Sequence, residues 1–343
     1  MKNIFRFLIM VSILLPGVEN IYAGGGNRTG TGGASELLIP VGIRGIALGG
    51  SNIATATGVE ALFWNPAGAA EMNNSATMMF SHMSYIADIG VEYGAVSVNF
   101  EGFGVLSFSV KSLSVGNISV TTTTYPDGTG QVYTPQELVA GVTYSKRLTD
   151  RIAVGVTANL VTEKLDQVSA TGMAFNIGVA YNDLADISGL SFGIVMNNIG
   201  PQMRYDGPGL LQTGTIGGLN RPPSKVKIDS APFELPTNFA LGLSYKPVLD
   251  DVNSLTVSSL FQNNNFSDDE YKFGMEYGYN NLLFLRGGYD FLAVDNAKNN
   301  IYGFTAGVGI NYDLGGVNAK IDYAFRDVKY FGGNHVFGIT LGF

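Results

Sequence analysis

The chain has 343 residues and no cysteine, which excludes disulfides, thiolate metal sites and a lipidated N-terminal cysteine. Charged residues make up only 14% of it and glycines number 46. Soluble domains carry roughly 25% charge, so something other than a charged surface faces the surroundings here. The net charge of −8 argues against a nucleic-acid partner.

Lys2 and Arg6 precede an apolar stretch from Phe7 to Leu15, interrupted only by Ser12 and closed by Pro16 and Gly17. That is the layout of a signal peptide. The stretch is shorter than the roughly 20 apolar residues a spanning helix needs, which disfavours a retained anchor. Ala23 ahead of the glycine run places cleavage after it, so residues 1–23 are expected to be removed. Losing Lys2, Arg6 and Glu19 from the 20 basic and 28 acidic residues takes the net charge to −9.

Residues 24–75 do not read as strands. Glycines and small residues lead into Ala47-Leu48-Gly49-Gly50 and then Ala61-Leu62-Phe63-Trp64-Asn65-Pro66-Ala67-Gly68. Pro66 fixes its own φ, and Asn65 before it is pushed to an extended shape. Small Ala67 and Gly68 permit tight packing, so the element reads as a structural wedge. A rigid turn with no gating role would look the same.

From Ala76 to the end the apolar period is two, which means strands. Ile152, Val154, Val156, Ala158 and Leu160 share one face, against Ala153, Gly155, Thr157 and Asn159 on the other. Segments of this kind begin near Ala76, Val91, Phe103, Gln136, Ile152, Met173, Leu190, Asn238, Leu255, Tyr271, Leu283, Tyr302, Val317 and His335. Fourteen is an even number, as bacterial outer-membrane barrels require. No later apolar run is long enough for a spanning helix, and in lipid only a closed barrel then satisfies the backbone.

A soluble β-sandwich would alternate too, so the polarity of the second face matters. It is rich in Gly, Ser, Thr and Asn with a few charges such as Lys320, Asp322 and Arg326, as a barrel lumen would be. Tyr144, Tyr181, Tyr245, Tyr277, Tyr289, Tyr312 and Tyr323 fall near segment ends, where interfacial girdles are expected. The last segment ends on Phe343 and resembles the assembly signal read by the barrel-assembly machinery. Residues 200–237 hold six of the 12 prolines and read as an extracellular loop or folded-in lid. Gly116 and Asn117 interrupt the third segment and suggest a defect in the wall there.

Little points to catalysis. His82 and His335 have no nucleophile beside them, and no His pair stands at metal-ligand spacing. The acidic runs Asp250-Asp251 and Asp268-Asp269-Glu270 read as solvated turns, and Gly30, Gly32 and Gly33 lack the strand and helix of a phosphate loop. No enzyme activity, cofactor or metal is expected.

The block Ala47-Leu48-Gly49-Gly50 with Ala61 to Gly68 resembles the hatch of the long-chain fatty-acid transporter (FadL-like) barrels. Trp64 ahead of Asn65-Pro66-Ala67-Gly68, Ile199-Gly200-Pro201, and Glu234-Leu235-Pro236 leading into Leu241-Gly242-Leu243-Ser244-Tyr245 resemble its PorV/PorQ branch more closely. The resemblance implies a fourteen-stranded antiparallel transmembrane β-barrel of the outer membrane with an N-terminal plug, residues 24–75, inside a barrel of residues 76–343. It implies a plug or gating role for Asn65, Pro66, Ala67 and Gly68. Two functions are implied at comparable weight. One is a part in type IX secretion, receiving the C-terminal signal domain of an exported protein. The other is a channel for fatty acids or other apolar molecules, whose path Leu48, Leu62, Phe63 and Trp64 would line. Outer-membrane lipids would surround the barrel in either case.

Overall fold

A computed structural model describes residues 30–214, 222–292 and 300–343. The expected signal peptide lies outside the described residues. Fourteen antiparallel strands form one closed barrel: β1 Ala76–Ser84, β2 Gly90–Phe100, β3 Gly104–Ser114, β4 Gln136–Arg147, β5 Ile152–Leu165, β6 Val168–Tyr181, β7 Leu190–Ile199, β8 Asn238–Tyr245, β9 Asn253–Asn264, β10 Glu270–Tyr279, β11 Leu283–Leu292, β12 Tyr302–Asp313, β13 Asn318–Val328 and β14 Asn334–Gly342. Each strand pairs with its neighbour in sequence, and β14 returns to β1, Thr77 opposite Gly342 and Ser84 opposite His335. No described helix is long and apolar enough to cross a membrane.

The strands follow the alternation of the sequence, with the apolar face outward. In β5, Val156 is 47% and Leu160 49% exposed, while Thr157 and Asn159 face inward and are buried. Phe108, Phe304 and Phe337 stand outward in the same way on other strands. In water such a belt would be costly, at about 25 cal/mol per Å² of apolar surface. Against hydrocarbon it is the expected arrangement, and it removes the soluble sandwich from consideration.

Connection lengths orient the barrel. At one end the links are 101–103, 148–151, 182–189, 246–252, 280–282 and 314–317. The other end carries the long links 115–135 and 200–237, each with a small hairpin of its own: Ile118–Ser119 with Val132–Tyr133, and Leu211–Gly214 with Ser224–Lys227. Long loops are extracellular and short turns periplasmic in such barrels. Tyr144, Tyr277 and Tyr312 stand outward near the periplasmic ends of their strands, a girdle at that interface.

Several expectations shift. The sixth strand begins at Val168 rather than Met173, because the β5–β6 hairpin rises past the apolar belt and its tip reads as polar and small. There Ser169 pairs with Asp206 of the long loop. Tyr323 sits mid-strand and shares a hydrogen bond of 2.9 Å with His335. Tyr245 is buried under Leu184 and Ile187 of a turn that folds over the outer wall. Gly116 and Asn117 lie beyond the end of β3 in the 115–135 loop, while β3 itself is paired along its length on both sides. The wall has no defect at that place.

Candidate functional site: the filled lumen and the cavity above it

Residues 43–72 run through the lumen in short turns of helix: α1 Ile43–Ala47, a 3-10 turn Asn52–Ala54, another at Gly58–Glu60, α2 Ala61–Trp64, and a 3-10 turn Pro66–Glu71. Between them they touch the inner face of every barrel strand, β10 through the Arg44 side chain on Glu276. α1 meets β11 to β14, Asn52–Ala54 meets β6 to β9, Gly58–Glu60 meets β1 and β2, and Pro66–Glu71 meets β3 to β6. The segment before them, Ser35–Leu38, adds a further 3-10 turn nearer the extracellular mouth.

Glycines on the inner wall make this fit. A Cβ on Gly155 would lie 2.5 Å from the Ala67 nitrogen, and one on Gly288 2.5 Å from the Gly49 nitrogen. Gly193 and Gly274 likewise meet plug backbone, and Gly178 and Gly242 admit the Asn65 and Ile53 side chains, so the plug lies directly on the bare strand backbone. The small face that the sequence shows is therefore a seat, not an open lumen.

Polar groups close the remaining contacts. Arg44 of α1 forms two bonds to Glu276 of β10, from Nε at 2.8 Å and Nη2 at 2.9 Å. Glu276 also accepts Arg286 Nε of β11 at 2.6 Å, and Arg286 Nη1 donates to Asp322 of β13 at 2.6 Å. Glu60, pushed up by burial and held down by Arg44, accepts the Gly45 N–H at 2.9 Å. Thr305 of β12 donates to the Ala47 carbonyl at 2.9 Å, and Ser51 shares a bond of 2.6 Å with Ser258 of β9. A bidentate arginine contact of this kind fixes orientation as well as position.

Asn65, Pro66, Ala67 and Gly68 lie together at one junction of plug and wall. Asn65 is extended at φ −157°, and its carboxamide oxygen accepts the Ala67 N–H at 3.1 Å. Its Nδ2 donates to Ile53 in the plug at 2.9 Å and to Val179 in β6 at 3.1 Å. Ser145 of β4 donates to the Pro66 carbonyl at 2.5 Å, and a Cβ on Gly68 would strike the Ala56 carbonyl. The motif joins three chain segments.

Above the plug, on the extracellular side, is a cavity of about 770 Å³. Its floor is apolar, with Leu37, Ile39, Ile46, Ile53, Phe63 and Trp64, and carboxamides such as Asn176, Asn238, Gln262 and Asn264 make up much of its wall. Glu270, Lys272, Asp290 and Arg326 line one side. Phe63 and Trp64 stack edge to face at 5.0 Å. Leu48 is pinned against the backbone of Gly274 and Gly288, and Leu62 lies in the apolar core of the plug.

At this cavity the ladder between β11 and β12 is incomplete. Their pairing runs only from Leu283 opposite Ile310 to Tyr289 opposite Phe304, so residues 290–292 have no partner on β12. Asn300 bridges the interval by donating to the Asp290 carbonyl at 2.8 Å. Tyr289 and Phe291 cover it from outside, rings 4.4 Å apart.

The long loop folds partly inward. Met203 and Phe233 pair backbone to backbone, and Gly32 bridges Glu234, so the loop base and the first plug residues form one layer across the mouth. Met203, Leu235, Ala34 and Leu37 share a core with Val139 and Val161 of the wall. Both histidines face outward: His82 bonds Glu92 at 2.6 Å, and His335 bonds Tyr323. Among the described residues no group of three or more His, Asp or Glu could hold a metal ion.

Reading the sequence did not find the Arg44–Glu276–Arg286–Asp322 chain. Asp322 was visible as a lumen charge, and Glu276 and Arg286 share that inward parity, but which of them meet depends on cross-strand register. Solved structures similar in fold include a Pseudomonas putida toluene transporter, TodX (TM-score 0.54, 14% identity, 88% of this chain and 96% of that one). A Ralstonia pickettii toluene transporter, TbuX, follows (TM-score 0.53, 14% identity, 88% and 96%). A Pseudomonas aeruginosa FadL homologue gives a TM-score of 0.52 at 13% identity over 88% and 98%. No curated protein matches the chain in sequence. The family model described as type IX secretion system protein PorV matches residues 23–265, and the chain, an outer-membrane β-barrel, belongs to that family.

Proposed function

We propose that this barrel is a non-conducting component of type IX protein secretion that receives the C-terminal signal domain of an exported protein at its extracellular face. The observation that carries this reading is the fastening of residues 43–72 to the wall by the Arg44–Glu276–Arg286 contacts and the glycine seat, which fills the lumen at that level. What faces outward is the extracellular layer, above all the hairpin of the long loop, Leu211–Gly214 with Ser224–Lys227, braced by the Arg204–Asp229 and Lys227–Asp206 ion pairs. The barrel holds or hands on its cargo without transforming it. Its apolar belt sits among outer-membrane lipids, and its last strand serves as substrate for the barrel-assembly machinery.

The test is deletion of residues 204–229, joined by a short glycine linker, in the full protein. Assembly into the membrane should be unchanged and capture of a purified C-terminal signal domain lost. Capture at wild-type level by the deletion variant would refute the loop as the contact surface.

A second reading, a channel for apolar molecules, draws support from the unpaired end of the β11–β12 ladder beside a cavity floored by Phe63 and Trp64. On that reading Phe63 and Trp64 meet the ligand first, Leu48 and Leu62 line the path only after the plug moves, and the Asn65 to Gly68 wedge is what shifts. Trp64→Ala should then weaken toluene or oleate binding in a barrel that still folds, and unchanged affinity would remove this reading.

A further inference from the structure

The outer end of the plug is held very differently from the rest. Its Ser35–Leu38 turn drives Glu36 into the wall, where it is 1% exposed and no donor group reaches either carboxylate oxygen, the Glu163 carboxyl being the group within hydrogen-bond reach. The groups that face it are Glu163 of β5, Glu137 of β4, Lys111 of β3 and Tyr205 of the long loop. Glu137 and Glu163 are direct neighbours across the β4–β5 ladder. The Tyr205 hydroxyl donates a hydrogen bond to Glu163, tying the loop to the same spot. The Lys111 amine donates to the Ile39 carbonyl at 3.0 Å.

Three carboxyl groups around one buried amine cannot all be ionised without a large desolvation and repulsion cost. The arrangement is stable with a proton on Glu36, which has no other donor. Plug, wall and outer loop converge here, and Ser35, Leu37 and Ile39 of the same turn wall the cavity.

We propose that residues 33–39, with the loop base that rests on them, form a pH-sensitive latch over the cavity, closed while Glu36 is protonated and released when it ionises. Burial, then the nearby Glu163 charge, push Glu36 from the ordinary 4.5 to about 8 in the closed state. The closed state binds the proton more tightly than the released one. The latch is therefore fully held below the ordinary carboxylate value and is lost as pH rises through about 8. Within that window each pH unit shifts the equilibrium by up to about tenfold.

The experiment is hydrogen–deuterium exchange on the full mature protein in lipid nanodiscs at pH 5.5, 7 and 8.5, read as protection factors, which remove the intrinsic pH dependence of exchange. In wild type, protection of residues 33–39 should fall by at least about tenfold across this range, while residues 43–54 hold steady. Glu36→Gln, which keeps the shape and cannot ionise, should stay protected throughout. Glu163→Gln, which removes the facing charge and leaves the burial, should shrink the fall in protection and move it to lower pH, and serves if Glu36→Gln fails to assemble. A wild-type profile flat in pH, or either variant losing protection in parallel with wild type, overturns the latch.

Discussion

Glu276 is the residue on which the fastening of the plug turns, because one carboxylate serves Arg44 of the plug and Arg286 of the wall at 2.6 to 2.9 Å. Glu276→Gln keeps its shape and removes its charge. Removing one partner of a buried ion pair costs about 3–5 kcal/mol. Here the low end applies, since Arg44 keeps the Thr55 carbonyl at 3.0 Å and Arg286 keeps Asp322 at 2.6 Å. The backbone ladder does not depend on this side chain, so the loss falls on seating of the plug. At ~1.4 kcal/mol per tenfold, about 3 kcal/mol raises the unseated population roughly a hundredfold. Planar-bilayer recording reads that population directly as the fraction of time a single barrel conducts. Wild type should be silent and Glu276→Gln should show openings. Arg44→Met should cost less in the Glu276→Gln background than in wild type, by about 1–3 kcal/mol, because the two residues share one interaction. A Glu276→Gln barrel as silent as wild type, with the two substitutions strictly additive, would refute the fastening argument and with it the sealed-lumen basis of the proposed function.

The glycine seat predicts a position-specific cost. Gly288→Ala, whose Cβ would lie 2.5 Å from the Gly49 nitrogen, should destabilise by about 1–3 kcal/mol, whereas the adjacent Gly287→Ala, nearest atom 3.8 Å away, should be close to neutral in heat-modifiability gels. Equal melting of the two variants would refute the seat. Ser145→Ala strands the Pro66 carbonyl inside the lumen and should cost about 1–3 kcal/mol, and a wild-type melting temperature would show that this contact contributes nothing. Trp64 is the single tryptophan, so its emission reports the cavity floor without labelling. A shift on adding toluene, lost in Phe63→Ala, would favour the channel reading, while no shift at saturating toluene would count against it.

The barrel was legible because its signal is local and repeated. Each strand carries its own inside and outside face, so Val154 and Gly155 announce their sides without knowledge of the partner strand. Thirteen of the fourteen starts fall within two residues of their observed places for that reason. The sixth fails where strand outruns membrane, since the outward-facing Ser169 and Thr171 need not be apolar above the lipid. Tyr245 went astray because a turn can fold back over the outer wall, which period-two reading cannot foresee. The fastening chain was illegible for a different reason. Arg44 and Glu276 stand 232 residues apart, and only the register of strands and the path of the plug bring them together.

The same reasoning bears on the lumen itself. Leu62, Phe63 and Trp64 are consecutive, Leu48 precedes them in the same segment, and all are apolar, so together they suggest one greasy track. Folded as single helical turns they cannot all face one way, because successive residues of a helix point about 100° apart. α2 therefore presents Phe63 and Trp64 to the cavity and buries Leu62 behind them, and the turn after α1 presses Leu48 onto bare strand backbone at Gly274 and Gly288. A seat that close is made for a segment that stays, whereas a passage for ligand would need the wall to tolerate its departure. The element held by the fewest polar contacts is the outer one, where the buried Glu36 carboxyl faces Glu163 and the base of the long loop rests on the same turn.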